Sequence, residues 1–333
     1  YNLNVTLYVF PEEEIEEIDV VHEWKELLKI DEKLKKLGSK IVEKYAVYNH
    51  NPFENCKYIG KTSNGTPIEV NKEVIKCDLK IGVGSITPHP MAGFSGGSKI
   101  ILPGVTSLKT IYFNHCVLGG YGPKRTPHES TGLGVDNENI IYSDAEEAAQ
   151  MIGLDIKVDV LMNEKREITK VFVGDPVAQR RETLEAAKKH YLTYPAENCD
   201  VVIANCYTKA NEADTALWAG LRSIKDGGTV VLICHTPEGQ VIHYLYGKFG
   251  EKMGGRGWED EKPLQKIRNL IIYSRYKEVD PHLPIWSKKY EGKVFWAKTW
   301  KEVTKKIKAI HKGPIKVAVY PCAELQYPPV QNI

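Results

Sequence analysis

Asp200-Val-Val-Ile-Ala-Asn205, a helical rhythm over 210–224, and Gly228-Thr-Val-Val-Leu-Ile-Cys234 decide the fold class. Two short β-branched, apolar runs flank a helix-length segment. Such β-α-β units pair their strands in parallel and cover the sheet with helices. The alternation continues with a helix over 261–270, strands over 270–273 and 293–297, a helix opened by Thr299 with Glu302 as its capping partner, and a strand over Lys316 to Tyr320. Upstream the pattern differs. Asn2 to Phe10 reads as a strand with Leu3, Val5, Leu7 and Val9 on one face, and 23–45 as a Lys/Glu-rich helix. Asp78 to Ile86 reads as a buried strand. Ser143 and Glu146 form a capping pair for a helix to about Ile152, Ile156 to Met162 and Ile168 to Val173 form a hairpin, and 176–191 forms a helix. The expectation is an α/β chain of two domains: an α+β N-terminal domain with long loops over 1–195, and a smaller doubly wound parallel-sheet domain over 196–333.

Composition narrows the function classes. A chain of 333 residues accommodates about two domains. With 42% hydrophobic and 26% charged residues it is not a disordered chain. No run approaches the roughly 20 apolar residues of a membrane span. Lys and Arg number 45 against 43 Asp and Glu, a net charge of +2, which argues against nucleic acid as a partner. The seven cysteines include no C-x-x-C pair, so a disulfide framework or zinc knuckle is not expected; they read as small buried hydrophobes in a reducing, cytoplasmic setting. No signal peptide is visible, and the chain opens on Tyr1, so residues ahead of it or within it are allowed for. Oligomeric state is not legible.

The chemistry concentrates in Thr87-Pro-His-Pro-Met-Ala-Gly-Phe-Ser-Gly-Gly-Ser-Lys-Ile-Ile-Leu-Pro-Gly104, a loop of no regular element at the end of a strand. Gly93, Gly96 and Gly97 permit conformations closed to other residues, and exposed N–H groups there form an anion nest to which Ser95 adds a hydroxyl. Lys99 follows the glycines, where a phosphate-contacting or covalently reacting amine would stand. His89 is held between two prolines. Neither G-x-x-x-x-G-K-[ST] nor G-x-G-x-x-G is present, which disfavours nucleotide hydrolysis and ordinary NAD binding. The plain alternative is a surface turn shaped by Gly and Pro. His115, in Phe-Asn-His-Cys, reads either as a metal ligand or as a structural residue.

Together, His89-Pro-x-Ala-Gly-x-Ser-Gly-Gly-x-Lys99, Pro103-Gly104 and His115 resemble the nickel-dependent lactate racemase family. The flanks agree: Tyr48-Asn-His-Asn-Pro52, Gly65-Thr-Pro-Ile-Glu-Val-Asn71, Cys77-Asp-Leu-Lys-Ile-Gly-Val-Gly84, His128-Glu-Ser-Thr-Gly-Leu-Gly134 and the 137–149 segment. The likeness is strong over about 45–180 and looser beyond. It implies a nickel-pincer nucleotide, pyridinium-3-thioamide-5-thiocarboxylic acid mononucleotide, covalently held by Lys99. His115 would ligate nickel, and Ser95, Gly96 and Gly97 would lie against the cofactor. His89 would be one of two acid/base histidines. The implied reaction is racemisation or epimerisation of a small-molecule 2-hydroxy acid, by hydride transfer through a 2-keto acid. Cofactor-synthesis proteins are implied partners.

Two departures stand out. The family's Asp-x-Thr-Arg and Gly-Thr-His-Arg segments are absent; His22 falls where the second base is expected, but its flanks differ, and a segment missing between about Phe10 and Val20 would account for both. No Gln/Lys pair marks the carboxylate clamp of lactate-type members, which leaves Lys209 or Arg222 for that role and predicts a substrate larger or more polar than lactate. His235 and His243 read either as substrate contacts or as packed polar residues. Competing readings are an NAD-linked hydroxyacid dehydrogenase and a non-catalytic nickel- or cofactor-binding protein.

Overall fold

The computed structural model describes residues 50–136, 138–213, 215–237, 266–276 and 294–329. The strand expected over Asn2–Phe10, the helix over 23–45, His22 and His243 lie outside them. The described chain opens with an antiparallel hairpin, β1 (Cys56–Lys61) and β2 (Pro67–Asn71), followed by the short α1 (Lys72–Lys76) and β3 (Ile81–Ser85). The glycine-rich loop holds β4 (Pro88–His89), β5 (Ala92–Phe94) and a 3₁₀ turn, Gly97–Ile100. Its expected lack of regular structure is thus corrected: Ser95 N–H bonds the Thr87 carbonyl at 2.8 Å, and Gly134 N–H bonds that of Gly93 at 3.1 Å. The second bond ties β5 to β6 (Gly132–Leu133), and β4, β5 and β6 form a small sheet. Between them, α2 (Leu108–Tyr112) runs into a π-helical turn, Phe113–Leu118.

Next come α3 (Ile140–Ile152), β7 (Ile156–Met162), β8 (Ile168–Gly174) and α4 (Pro176–His190). The β7–β8 hairpin falls where its pattern places it. Helix α3 starts earlier than the Ser143/Glu146 pair predicts, because Asn139 caps it by accepting the Tyr142 N–H at 3.1 Å. Ser143 instead lies inside the first turn and bonds the Ile140 carbonyl. Strand β3 is shorter than expected and buried on one face only: Ile81 and Val83 are 51% and 64% exposed. Its inward Gly82 leaves room for Ile100, whose Cγ2 stands 2.8 Å from where a Cβ would be. Strand order here is β3-β7-β8.

The second large sheet contains β9 (Cys199–Asn205), β10 (Ile224–Ile233), β11 (Ile267–Tyr273), β12 (Val294–Ala297) and β13 (Val317–Tyr320), all parallel, in the order β12-β11-β10-β9-β13. One face buries Val202, Leu232 and Ile272 with Leu217 of α5 (Thr215–Gly220). The other buries Val201, Val231 and Ile271 with Val303 of α6 (Trp300–Ile310). The sheet is therefore doubly wound. Two expected helices are corrected. That over 210–224 reduces to a 3₁₀ segment and α5, because Lys209 is non-helical and Ile224 already pairs with Cys199. That over 261–270 gives way to strand from Ile267, where burial of Ile267, Leu270 and Ile271 outweighs the helical rhythm. Strand order reverses between β9 and β13, placing Cys206–Lys209 and Pro321–Cys322 at the switch point. Among the described residues no helix is long and apolar enough to cross a membrane.

Candidate active site

Lys99 lies in the 3₁₀ turn that closes the glycine loop. Part of its surface is open, yet it sits deep enough that desolvation, with the charges of Arg180 and Lys209, brings its amine down to about 7. A lysine that sheds its proton near neutrality is a nucleophile under ordinary conditions. The charge of Lys209, which follows β9 at the switch point of the parallel sheet, reaches Lys99. Sites at the switch point of a parallel sheet occupy this position.

The loop is held from inside. Gly97 N–H donates to Asp159 Oδ2 at 2.8 Å, and Asp159 Oδ1 is paired at 2.6 Å with Lys157 Nζ. Both side chains are fully buried on β7. The anion nest expected of the glycines is thus filled by the protein's own carboxylate. Ser98 N–H meets Tyr142 Oη at 3.3 Å, and Ser95 Oγ accepts the Thr87 N–H at 2.9 Å, closing the neck of the loop. Gly97 adopts φ 56°, and a Cβ there would stand 2.1 Å from Tyr142 Oη. Its requirement for glycine is internal packing. Arg180 of α4 donates to the carbonyls of Ser95 and, at 3.2 Å, Phe94, while its guanidinium carbon lies 4.1 Å from the Tyr142 ring centroid.

His115 stands on the π-helical turn, 1% exposed. Such turns recur at functional sites. The turn is anchored through its neighbour: Asn114 Nδ2 donates to Asp144 Oδ2 at 2.8 Å, and the Thr62 and Thr66 hydroxyls donate to the same buried carboxylate at 2.6 and 2.7 Å. The turns bearing Lys99 and His115 both rest on α3, the first at Tyr142 and the second at Ile141, which fills the space beside Gly119. Among the described residues no cluster of three or more His, Cys, Asp or Glu could hold a metal ion. A naked ion would find too few donors here. A metal arriving with its own donors would need little more than one imidazole, so the donor set fits a metal carried by an organic cofactor.

His89 ends β4, half-buried, and its Nδ1 accepts the N–H groups of Met91 and Ala92 at 3.2 and 3.1 Å. Those donors place the neutral ring's proton on Nε2. Arg222 is not on a helix, as the sequence suggests, but exposed in the turn leading into β10. It sits at the opposite strand ends from Lys209. His235 packs its ring edge-on to Tyr273 and accepts the Arg275 N–H. Sequence reading misses Asp159, Arg180, Asp144 and Tyr327. Tyr327, in the C-terminal segment, lies edge-on to Phe94 at 5.2 Å and fills the space beside Gly134. Only Asp159 carried a signal: a charge pair, Lys157 and Asp159, alternating within an apolar strand.

Residues 28–124 match the lactate racemase N-terminal domain. Over part of its length the chain is similar to lactate racemases. A lactate racemase of Thermoanaerobacterium thermosaccharolyticum is 29% identical over 248 residues, covering 71% of this chain and 54% of that protein. One of Lactiplantibacillus plantarum is 30% identical over 220 residues, covering 63% and 49%. The chain thus spans about half the length of the curated relatives it matches. The fold is that of the lactate racemase apoprotein from T. thermosaccharolyticum (TM-score 0.69, 23% identity, 89% of this chain and 74% of that one). A crystal structure of a Thermotoga maritima protein superposes with a TM-score of 0.61 at 16% identity, over 90% and 82%.

Proposed function

We propose that this chain is an isomerase, a nickel-dependent racemase or epimerase of a 2-hydroxy acid. The observation that carries the reading is Lys99: a deeply set amine, reactive near neutrality, on a turn that shares α3 with a buried histidine. Lys99 would attach the nickel-pincer nucleotide and His115 would ligate its nickel. When bound, that group would accept and return a hydride at the substrate's C2. Ser95, Gly96 and Gly97 shape the loop and fix where the amine points.

The chain's own groups do the rest. Lys209, at the switch point, would supply the cation that receives a substrate carboxylate. Arg222, at the other end of the strands, is not needed there. His89 offers Nε2–H in the conformation seen, the form that gives a proton to a carbonyl oxygen. Taking a proton from a hydroxyl would require its ring to leave the Met91 and Ala92 amides. The second base would be His22, which lies outside the described residues, or a residue of a segment missing from this sequence. We place the division into two domains near residue 195, so that the cofactor is held by the first and the substrate met by the second. The seven cysteines are free thiols, which suits a reducing cytoplasm.

Among the described residues no feature supports an NAD-linked dehydrogenase. Strand β9 runs into Cys206-Tyr-Thr-Lys209, with no glycine turn for a pyrophosphate. The test is intact-mass and peptide analysis of protein coexpressed with cofactor-synthesis enzymes, with nickel content and turnover on a panel of 2-hydroxy acids. A mass adduct on Lys99, lost in Lys99→Ala, with nickel lost in His115→Ala, is the expected result. Turnover separates an enzyme from a carrier, and faster turnover of lactate than of larger or more polar acids would overturn the substrate reading. An unmodified Lys99 would overturn the whole assignment.

A further inference from the structure

We propose that Arg180 is the positioning residue of this site: its guanidinium, fixed on two carbonyls of the glycine loop and on the Tyr142 ring, sets where the Lys99 amine sits and how readily it reacts. The inference deepens the assignment of Lys99 as the attachment point and rests on it. Arg180 comes from α4, an element distant in sequence, and is 5% exposed. Its hydrogen bonds go to the Ser95 and Phe94 carbonyls rather than to a carboxylate. An arginine keeps its charge under all ordinary conditions. An undischarged cation is therefore built into the Lys99 turn, its Cδ 3.2 Å from where a Cβ on Gly97 would stand.

The other groups facing the Lys99 turn do not substitute for it. From β7, Lys157 is neutralised by Asp159, at 2.6 Å. From α3, burial pushes the Tyr142 phenol up, so it stays neutral. From β3 the contact is Gly82 against Ile100, without charge. After β9, Lys209 is the second cation acting on Lys99, but it is partly exposed and lies 3.9 Å from Glu212, so its charge is partly offset. Arg180 thus combines two actions, geometry through the forked bond and reactivity through charge. The charge favours the free amine.

The two actions separate by substitution. Competitive labelling of the cofactor-free full chain with trace acetic anhydride, read by peptide mass spectrometry from pH 5.5 to 10 with exposed Lys124 as internal reference, gives the midpoint of Lys99 reactivity. Wild type should label with a midpoint near 7. In Arg180→Met the midpoint should move up by a unit or more, and labelling at pH 7 should fall about tenfold for each unit. In Arg180→Lys the charge remains, so the midpoint should stay near that of wild type, while amide exchange over 94–97 should quicken as the forked bond is lost. Because hydration of a loosened loop would also raise the midpoint, Arg180→Lys is the deciding variant: it loosens the loop but keeps the charge, and a midpoint that rose there as far as in Arg180→Met would overturn the charge action. Should Arg180→Met not fold, Arg180→Gln takes its place with the same expectation. An unmoved midpoint in a folded neutral variant, or wild-type Lys99 labelling in step with Lys124, would overturn the proposal. No cofactor takes part, so this result and the adduct on Lys99 can fail independently.

Discussion

The middle strands of the two larger sheets, β7 and β10, are built in opposite ways. In β10 the run Thr229, Val230, Val231 and Leu232 is wholly buried, and apolar side chains point to both faces. In β7 the inward positions alternate Lys157, Asp159 and Leu161, while Ile156, Val158, Val160 and Met162 point outward and are only half-buried. The first strand is scaffold, and it could be repacked with other hydrophobes of similar volume. The second places charge where a core would be cheaper. Its carboxylate fastens Gly97 N–H two residues from Lys99, at 2.8 Å. Burial of an ion pair seldom stabilises a protein. Here the pair lies beneath the loop that carries Lys99, where it fastens the backbone rather than filling a core.

The sharpest way to break this contrast is to remove one charge. Asp159→Asn should destabilise by about 3–5 kcal/mol, because Lys157 is left buried and unbalanced and Gly97 loses an ionic acceptor. The loss should shrink with rising pH as Lys157, whose ionisation burial already disfavours, gives up its proton. Leu232→Ala in β10 should cost about 2–5 kcal/mol through lost burial and a cavity, with no such pH dependence. Urea unfolding between pH 6 and 10 measures both. A flat pH profile for Asp159→Asn would show that the pair acts as packing only.

The next effect is smaller and of opposite sign. Lys99 holds fewer protons folded than unfolded between about 7 and the ordinary lysine range, so the folded state should gain stability as pH rises through that window. Replacing the side chain removes the burden of an amine kept where it is poorly solvated. Lys99→Met should therefore stabilise the cofactor-free chain at pH 7, by something on the order of a few kcal/mol, and the advantage should fade toward pH 10. Thermal unfolding of the two proteins at both pH values decides it. Equal stability at pH 7 would mean that Lys99 is better solvated than its surroundings indicate.

How much of this was legible follows the same division. The β9–β10 pattern announces a parallel sheet because its strands are apolar on both faces and need no partner from elsewhere to be understood. The hairpin β7–β8 is equally plain from its two runs and the turn between them. Within β7, however, the alternation rule points the wrong way: four apolar residues share the outward face, and the burial belongs to a lysine and an aspartate. The glycine loop could be read as special, but not why. Its glycines are required by Tyr142 and Asp159, which lie 45 and more residues along the chain, and its cation by Arg180, which in Gln179-Arg-Arg181 looks like an ordinary helix surface. Local sequence carries turn chemistry and periodicity. It does not carry which distant side chain enters a loop.

The outward face of the β3-β7-β8 sheet gives the smallest and most discriminating test. Leu79, Ile81, Val83, Val171 and Val173 are each more than half exposed, and they flank the half-buried apolar side chains of β7. An exposed valine contributes little to stability by burial, so Val83→Thr and Val173→Thr should each change unfolding free energy by less than about 0.5 kcal/mol. The same change at Val231, buried on both sides, introduces a hydroxyl without a partner and should cost about 1–3 kcal/mol. Chemical denaturation of the three variants under one condition sets them on one scale. A cost at Val83 or Val173 approaching that at Val231 would show that this face is covered in solution. The smaller sheet would then resemble the larger one in having two buried faces, and the contrast between the sheets would narrow to the Lys157–Asp159 pair alone.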